Sequence, residues 1–344
     1  MPDEVFQKAS EAVLNFHNTG LSILEISHRS DEFVEVMEKA RSLVKEVLHV
    51  PEGYSVLFLQ GGASMGFLKT VYNFLPQGGT AAYVNTGAWS TKAIKEVKPF
   101  GIANVIASSE DQGFNYIPKG YSVPSDAAYL HITSNNTIAG TQFKAFPESS
   151  IPLICDMSSD IFSQEIDVSK FDMIYAGAQK NLGPAGATLY IVKESSLGKG
   201  NSQIPTMLDF RTHINKDSMF NTPPVFSVYV SMLTLEWLKS NGGVPAIAKK
   251  NQAKADLLYN EIDRNSLFKG VTAKEDRSNM NATFVLENEN LKSSFDALWK
   301  AANINGIKGH RSVGGYRASM YNALPIESVQ VLVEVMQDFE KKHG

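Results

Sequence analysis

Lys180 stands in Tyr175-Ala176-Gly177-Ala178-Gln179-Lys180-Asn181-Leu182-Gly183-Pro184-Ala185-Gly186, among small residues and just after the apolar stretch Met173-Ile174-Tyr175. Burial at a strand end lowers a lysine's pKa and frees its amine, which makes it a candidate Schiff-base nucleophile. The glycines would let the backbone pass close to something bulky. A lone lysine in a turn is more often a solvated loop residue, so the reading depends on partners. Asp156 ends the apolar run Ile151-Pro152-Leu153-Ile154-Cys155, where a carboxylate is costly unless a cation meets it or it caps the next turn. Trp89 follows Thr86-Gly87-Ala88 and is either core or a platform for a ring. Thr137, in Asn136-Thr137-Ile138-Ala139-Gly140, offers a hydroxyl to a turn or to a ligand. Gln60-Gly61-Gly62-Ala63-Ser64 joins a strand to a helix, and the free N–H groups of such a junction suit a phosphate. This last signal is weak, matching neither G-x-G-x-x-G nor the Walker A pattern.

Together these residues form the set that pyridoxal phosphate requires. It needs an amine for its aldehyde, an acid to keep its ring nitrogen protonated, a flat platform and donors for its phosphate. Cations form a second group: His28-Arg29 near the start, then His310-Arg311 and Arg317 in Gly309-His310-Arg311-Ser312-Val313-Gly314-Gly315-Tyr316-Arg317-Ala318-Ser319. Arginine forks bind carboxylate and phosphate in bidentate fashion, so this group suits a substrate anionic at both ends. No His or Cys spacing fits a metal site, and none is expected.

The elements that must position these residues alternate. Strands are expected at 55–59, 81–84, 103–107, 127–133, 152–156, 172–177 and 187–192, with helices after the first two. This pattern predicts an α/β fold with a mainly parallel sheet covered on both faces. Ligands then bind beyond the carboxyl ends of the strands, where most of the unusual polar residues fall. Helices at 3–18 and 30–48 precede the sheet. A long helix from Val244 to Ile262, a strand near 283–286 and helices at 290–302 and from Ile326 to about Lys341 predict a smaller α+β domain. The expected division is a large domain over 10–240 and a small one over 241–344, joined by residues 1–9. Residues 195–224 have little periodicity and read as an ordered excursion.

Bulk properties narrow the classes. The 344 residues, 43% hydrophobic and 20% charged, with a net charge of −4, describe an ordinary globular protein of about two domains. Neither nucleic acid nor an anionic membrane is an expected partner. No apolar run approaches the ~20 residues of a membrane span. The single Cys155 excludes an internal disulfide, and the start lacks a secretory signal; both fit a cytoplasmic protein.

The stretches around Ser27-His28-Arg29-Ser30, Gln60–Ser64, Asn136–Gly140, Ala176–Gly186, Phe220-Asn221-Thr222-Pro223-Pro224 and 309–319 resemble, in order, the motifs of phosphoserine aminotransferases. The resemblance spans nearly the whole chain. It implies the fold type I pyridoxal-phosphate architecture of class V aminotransferases, as a homodimer with shared active sites. Lys180 would carry the cofactor as a Schiff base and shuttle the proton. Asp156 would pair with the ring nitrogen, and Trp89 would stack on the ring. Ala63, Ser64 and Gln179 would hold the cofactor phosphate, with Thr137 contacting the cofactor. Asn221 and Thr222 would reach that phosphate from the other subunit. Arg317 would take the α-carboxylate; His28, Arg29, His310 and Arg311 would take the substrate phosphate or the glutamate side-chain carboxylate. The implied reaction moves an amino group between L-glutamate and 3-phosphohydroxypyruvate, giving O-phospho-L-serine and 2-oxoglutarate.

Two departures carry expectations. The chain starts at Met1-Pro2-Asp3 without the family's usual Asn-Ala-Gly-Pro type segment, which predicts weaker closure over the substrate. Gly66 replaces a commonly larger polar residue, which predicts looser cofactor contacts. The alternatives are another class V enzyme, such as a cysteine desulfurase, or a cofactor-free dimeric binding protein. A desulfurase needs a cysteine on a mobile loop, whereas Cys155 falls in an apparent buried strand.

Overall fold

The computed structural model describes residues 1–344 apart from Ser202 and Ser312. Two helices lead, α1 (Asp3–Leu14) and α2 (Asp31–Val47). Then follow β1 (Tyr54–Leu59), α3 (Gly62–Phe74), β2 (Thr80–Asn85), α4 (Ala88–Val97), β3 (Ile102–Ser108) and β4 (Leu130–Thr133). A short hairpin, β5 (Asn135–Asn136) and β6 (Thr141–Gln142), precedes β7 (Leu153–Asp156), β8 (Met173–Gly177) and β9 (Thr188–Lys193). Next come α5 (Phe210–Ile214), α6 (Val225–Ser240) and α7 (Gly243–Arg264). The chain closes with β10 (Phe268–Gly270), β11 (Asn281–Leu286), α8 (Lys292–Ala301), β12 (Tyr316–Ser319) and α9 (Ile326–His343).

Seven strands form one sheet in the order β1-β9-β8-β7-β4-β2-β3. The ladders from β8 through β7, β4 and β2 to β3 are parallel, and β9 runs antiparallel to both β1 and β8. The strands read as continuous apolar runs because both faces are covered. Alternate residues serve opposite faces: Val56, Phe58, Ile132, Cys155 and Ile174 pack toward α1, α2 and α6. Leu57, Leu59, Tyr83, Ile154 and Tyr175 pack toward α3, α4 and Phe210. By that alternation Asp156 shares the second face with Ile154, and it lies opposite Tyr175 in the ladder.

A second core sits around the three-stranded sheet β10-β11-β12, with α8, α9 and the later half of α7. The sequence division at 240 does not coincide with a break between cores. Val244 and Ile247 of α7 bury in the first core, whereas Ala255 and Leu258 bury in the second, so one helix belongs to both. Val5 and Ala9 of α1 are likewise buried in the first core, which places residues 1–9 beside the large sheet.

Candidate active site

The carboxyl ends of the parallel strands carry the site. The strand β1 runs through Gln60 into Gly61 and Gly62, both with positive φ (103° and 63°), and α3 starts at once. Ala63 and Ser64 therefore occupy the first turn of α3, where backbone N–H groups lack intrahelical acceptors. No side chain caps this helix. Gln60 Nε2 donates to the Thr222 carbonyl at 2.5 Å, which brings the 221–224 loop to the same turn within one chain. Asn221 Oδ1 is buried there without a partner.

Lys180 follows β8. Its loop is a single helical turn, with Leu182 N and Gly183 N both donating to the Ala178 carbonyl (3.1 and 2.8 Å). The small residues around it have a different cause from the one the sequence suggests. A Cβ at Gly183 would stand 2.7 Å from Ser231 Oγ, and one at Gly186 would stand 2.6 Å from Ser227 Oγ. The bulky neighbour is α6, which presses the lysine loop from behind. Asn181 pins the loop further, donating to the Ile161 carbonyl at 3.1 Å and accepting from Asn322 N–H at 3.0 Å. Gln179 is exposed, and its amide folds over Gly177, where an added Cβ would meet Oε1 at 2.6 Å.

Asp156 is 3% exposed at the end of β7. Its Oδ1 accepts from the Ser158 N–H at 2.9 Å, so it does cap the next turn. Burial pushes its carboxyl up, opposed by that bond and by Lys180. Burial pushes the Lys180 amine down, opposed by Asp156 and Asp160 and reinforced by Arg317. A lysine and an acid thus share a low-dielectric site in which each answers the other's charge.

A chain of contacts joins the remaining members. Lys180 Nζ lies 5.8 Å from the Trp89 ring centroid. Trp89 Nε1 donates to Thr137 Oγ1 at 3.1 Å, and Arg317 Nη1 donates to the Thr137 carbonyl at 3.1 Å. Arg317 Nε and Asn136 Oδ1 are buried with no hydrogen-bond partner, a cost these groups carry unless something else meets them. The donors at the start of α3, the half-satisfied acid, the low-pKa amine and these two orphaned polar atoms suit a polar, aromatic, phosphorylated group.

Not every expected residue converges. Arg29 and Arg311 are exposed, and among the described residues no hydrogen bond or ion pair joins either side chain to Lys180, Trp89 or Arg317. His28 Nε2 is buried and unpaired. His310 and Arg311 lie at the tip of a tight loop closed by Gly309 N–H to the Gly315 carbonyl at 2.9 Å and by Lys308 opposite Tyr316; Ser312 falls outside the described residues. Gly309 is required there, since a Cβ would stand 1.9 Å from the Gly314 carbonyl oxygen. Gly66 also has a packing cause: an added Cβ would be 2.6 Å from the Tyr175 ring. Cys155 is fully buried in β7, and burial pushes its thiol well up; it is no exposed nucleophile.

The class-V aminotransferase family model matches residues 1–332. A phosphoserine aminotransferase of Flavobacterium psychrophilum is 63% identical over 343 residues, 99% of this chain and 96% of that protein. The chain belongs to the phosphoserine aminotransferase family. A solved member from Bacillus circulans subsp. alkalophilus superposes with a TM-score of 0.97 at 44% identity, covering 100% of this chain and 96% of that one. A second solved member, the PLP-bound enzyme of Trichomonas vaginalis, gives 0.91 at 34% identity, covering 98% and 97%. The family's fold type I architecture is the one described above.

Sequence reasoning missed several residues that the structure gathers around this family site. Asp160 reads as part of a polar turn, Ser158-Ser159-Asp160, but is buried and shares the Ser134 hydroxyl with the Asp156 carbonyl. His131 Nε2 meets Tyr175 OH at 2.7 Å, also in the core. A histidine inside the strand Leu130–Thr133 was the available signal.

Proposed function

We propose that this chain catalyses reversible amino transfer between L-glutamate and 3-phosphohydroxypyruvate, giving O-phospho-L-serine and 2-oxoglutarate, with pyridoxal phosphate as cofactor. The observation that carries the reading is the buried Asp156 and the Lys180 amine, whose charges act on each other just beyond two neighbouring strands, together with the uncapped first turn of α3. When bound, the cofactor supplies an electron sink for the bond broken at the amino-acid α-carbon.

This chain's residues do the rest. Lys180 offers its amine to hold the cofactor covalently, then accepts and returns the α-carbon proton. Asp156 keeps a proton on the ring nitrogen. Trp89 orients the ring, with Thr137 fixing the indole and contacting the cofactor. The N–H groups and hydroxyl of Ala63 and Ser64, with Gln179, bind the phosphate. Arg317, anchored by one nitrogen to Thr137, binds the α-carboxylate with the rest of its fork. His28, Arg29, His310 and Arg311 bind the distal anion, the phosphate in one half-reaction and the glutamate carboxylate in the other.

The exposed Arg29 and Arg311 side chains, held on separate loops, support a homodimer with shared sites. In that dimer the Asn221 and Thr222 side chains would reach the partner's phosphate turn, while the Thr222 carbonyl stays on Gln60 of its own chain. No helix among the described residues is long and apolar enough to cross a membrane, and we place the enzyme in the cytoplasm. We also take the chain as two domains, a large one over 1–240 and a small one over 241–344, which share α7.

A coupled assay with phosphoserine and 2-oxoglutarate tests the reading against alanine and aspartate as donors. Phosphoserine is expected to be used best. Equal or better use of either rival contradicts the assigned substrate.

A further inference from the structure

One buried acid has no role in the scheme above. Asp160 is 4% exposed, one turn beyond β7. Its Oδ1 meets the Ser134 hydroxyl, and its Oδ2 is 3.2 Å from Gln142 Nε2. The orientation of Gln142 is set from its other end, where Oε1 accepts from Asn279 N–H at 3.0 Å and from Lys144 Nζ at 3.3 Å. Its NH₂ group is therefore the end facing Asp160. The Ser134 hydroxyl also lies 3.0 Å from the Asp156 carbonyl oxygen. A serine hydroxyl has one hydrogen to give. Both contacts are satisfied together when Asp160 carries a proton: Asp160 Oδ1–H donates to Ser134 Oγ, and Ser134 O–H donates to the Asp156 carbonyl. Burial agrees, pushing Asp160 up to about 6 against the pull of Ser134 and Gln142.

We propose that Asp160 is a positioning residue that braces the Asp156 end of β7 through Ser134 and, by ionising, sets the proton affinity of the Lys180 nitrogen. The charged and titratable groups that feel it are Asp156 and Cys155 on β7, Lys180 after β8, Lys144 after β6 and Tyr321 after β12. Neutral Asp160 leaves Asp156 as the anion nearest in role to Lys180. Ionised Asp160 adds a second negative charge that holds a proton on that nitrogen. This inference rests on Lys180 being the cofactor lysine.

Asp160→Asn tests it, because asparagine can donate to Ser134 and accept from Gln142 while removing the ionisation. The pH midpoint of the Lys180–cofactor absorbance is expected to fall by about half a pH unit or more, the scale of one screened charge at close range. Without cofactor, stability supplied by neutral Asp160 is fully present below the ordinary carboxylate range and is lost as pH rises through about 6. The Tm of D160N minus that of the unsubstituted protein should therefore grow between about pH 4 and 7. An intact absorbance band with an unmoved midpoint, or a flat Tm difference, overturns the proposal. If D160N does not fold, Ser134→Ala serves. It removes the hydroxyl that accepts from neutral Asp160 but turns to donate to the ionised carboxylate, the stronger, charge-assisted bond, so the Asp160-linked step moves to higher pH, and an unmoved step overturns the proposal equally. A protein that shows no band at all contradicts the Lys180 reading itself and takes this inference with it.

Discussion

The cofactor half and the distal-anion half of this site are built differently. Lys180 and Asp156 follow strands of one sheet, with α6 pressing the lysine loop from behind and Asn181 tying it to Asn322, and a Trp89–Thr137 hydrogen bond stands beside them. His28-Arg29 and His310-Arg311 lie on loops, and Arg29, His310 and Arg311 are exposed. The first half is dry, so the charges there shift one another's proton affinities. The second is wet, and a long cation on a loop costs little until its anion arrives. The contrast fits a fixed centre for one cofactor beside an adaptable anchor for two different substrate anions.

The largest expected effect breaks the first half. Asp156→Asn keeps the turn contact to Ser158 but removes the charge that holds the ring nitrogen's proton. It should lower kcat by about 10²–10³-fold, typical of losing one preorganised electrostatic group. Single-turnover kinetics check this, and a kcat within a few-fold of the unsubstituted enzyme would make the acid a turn cap only. The next effect belongs to the second half. Arg311→Ala should raise KM for phosphoserine by about 10–100-fold, the range of a lost charge-assisted hydrogen bond. Cofactor affinity, followed by absorbance titration, should not change; a matching loss of both would erase the distinction between the halves.

The sequence made the first half legible because burial leaves marks. An aspartate after Leu153-Ile154-Cys155 and a lysine after Met173-Ile174-Tyr175 stand out against apolar strands. The glycines beside Lys180 were legible as close approach, but not as approach by Ser227 and Ser231, since a helix forty residues away leaves no local trace. The helix α6 escaped for a related reason. Val228, Val230, Leu233 and Leu235 are buried around nearly its whole circumference, so its apolar residues have no helical period to read. The last strand, Tyr316–Ser319, was hidden in a glycine-rich stretch whose glycines serve the loop before it. Asp160 was illegible because serine neighbours make any aspartate look like turn chemistry. The His-Arg pairs announced an anion but not a location.

A smaller effect sharpens the comparison from the packing side. Gly66→Ala forces a Cβ to within 2.6 Å of the Tyr175 ring and should cost about 1–3 kcal/mol of stability, as overpacking in a core does. Thermal unfolding checks this, and a neutral substitution would show that the layer beneath Asp156 yields more readily than the rigid first half requires.

In the proposed mechanism Lys180, and no other lysine, holds the cofactor. Borohydride reduction of the loaded protein followed by peptide mass mapping tests it most directly. A stable pyridoxyl-phosphate mass is expected on the peptide containing Lys180 and none on Lys180→Ala protein. The adduct on another lysine, or its persistence in that variant, would rule out Lys180 as the cofactor lysine.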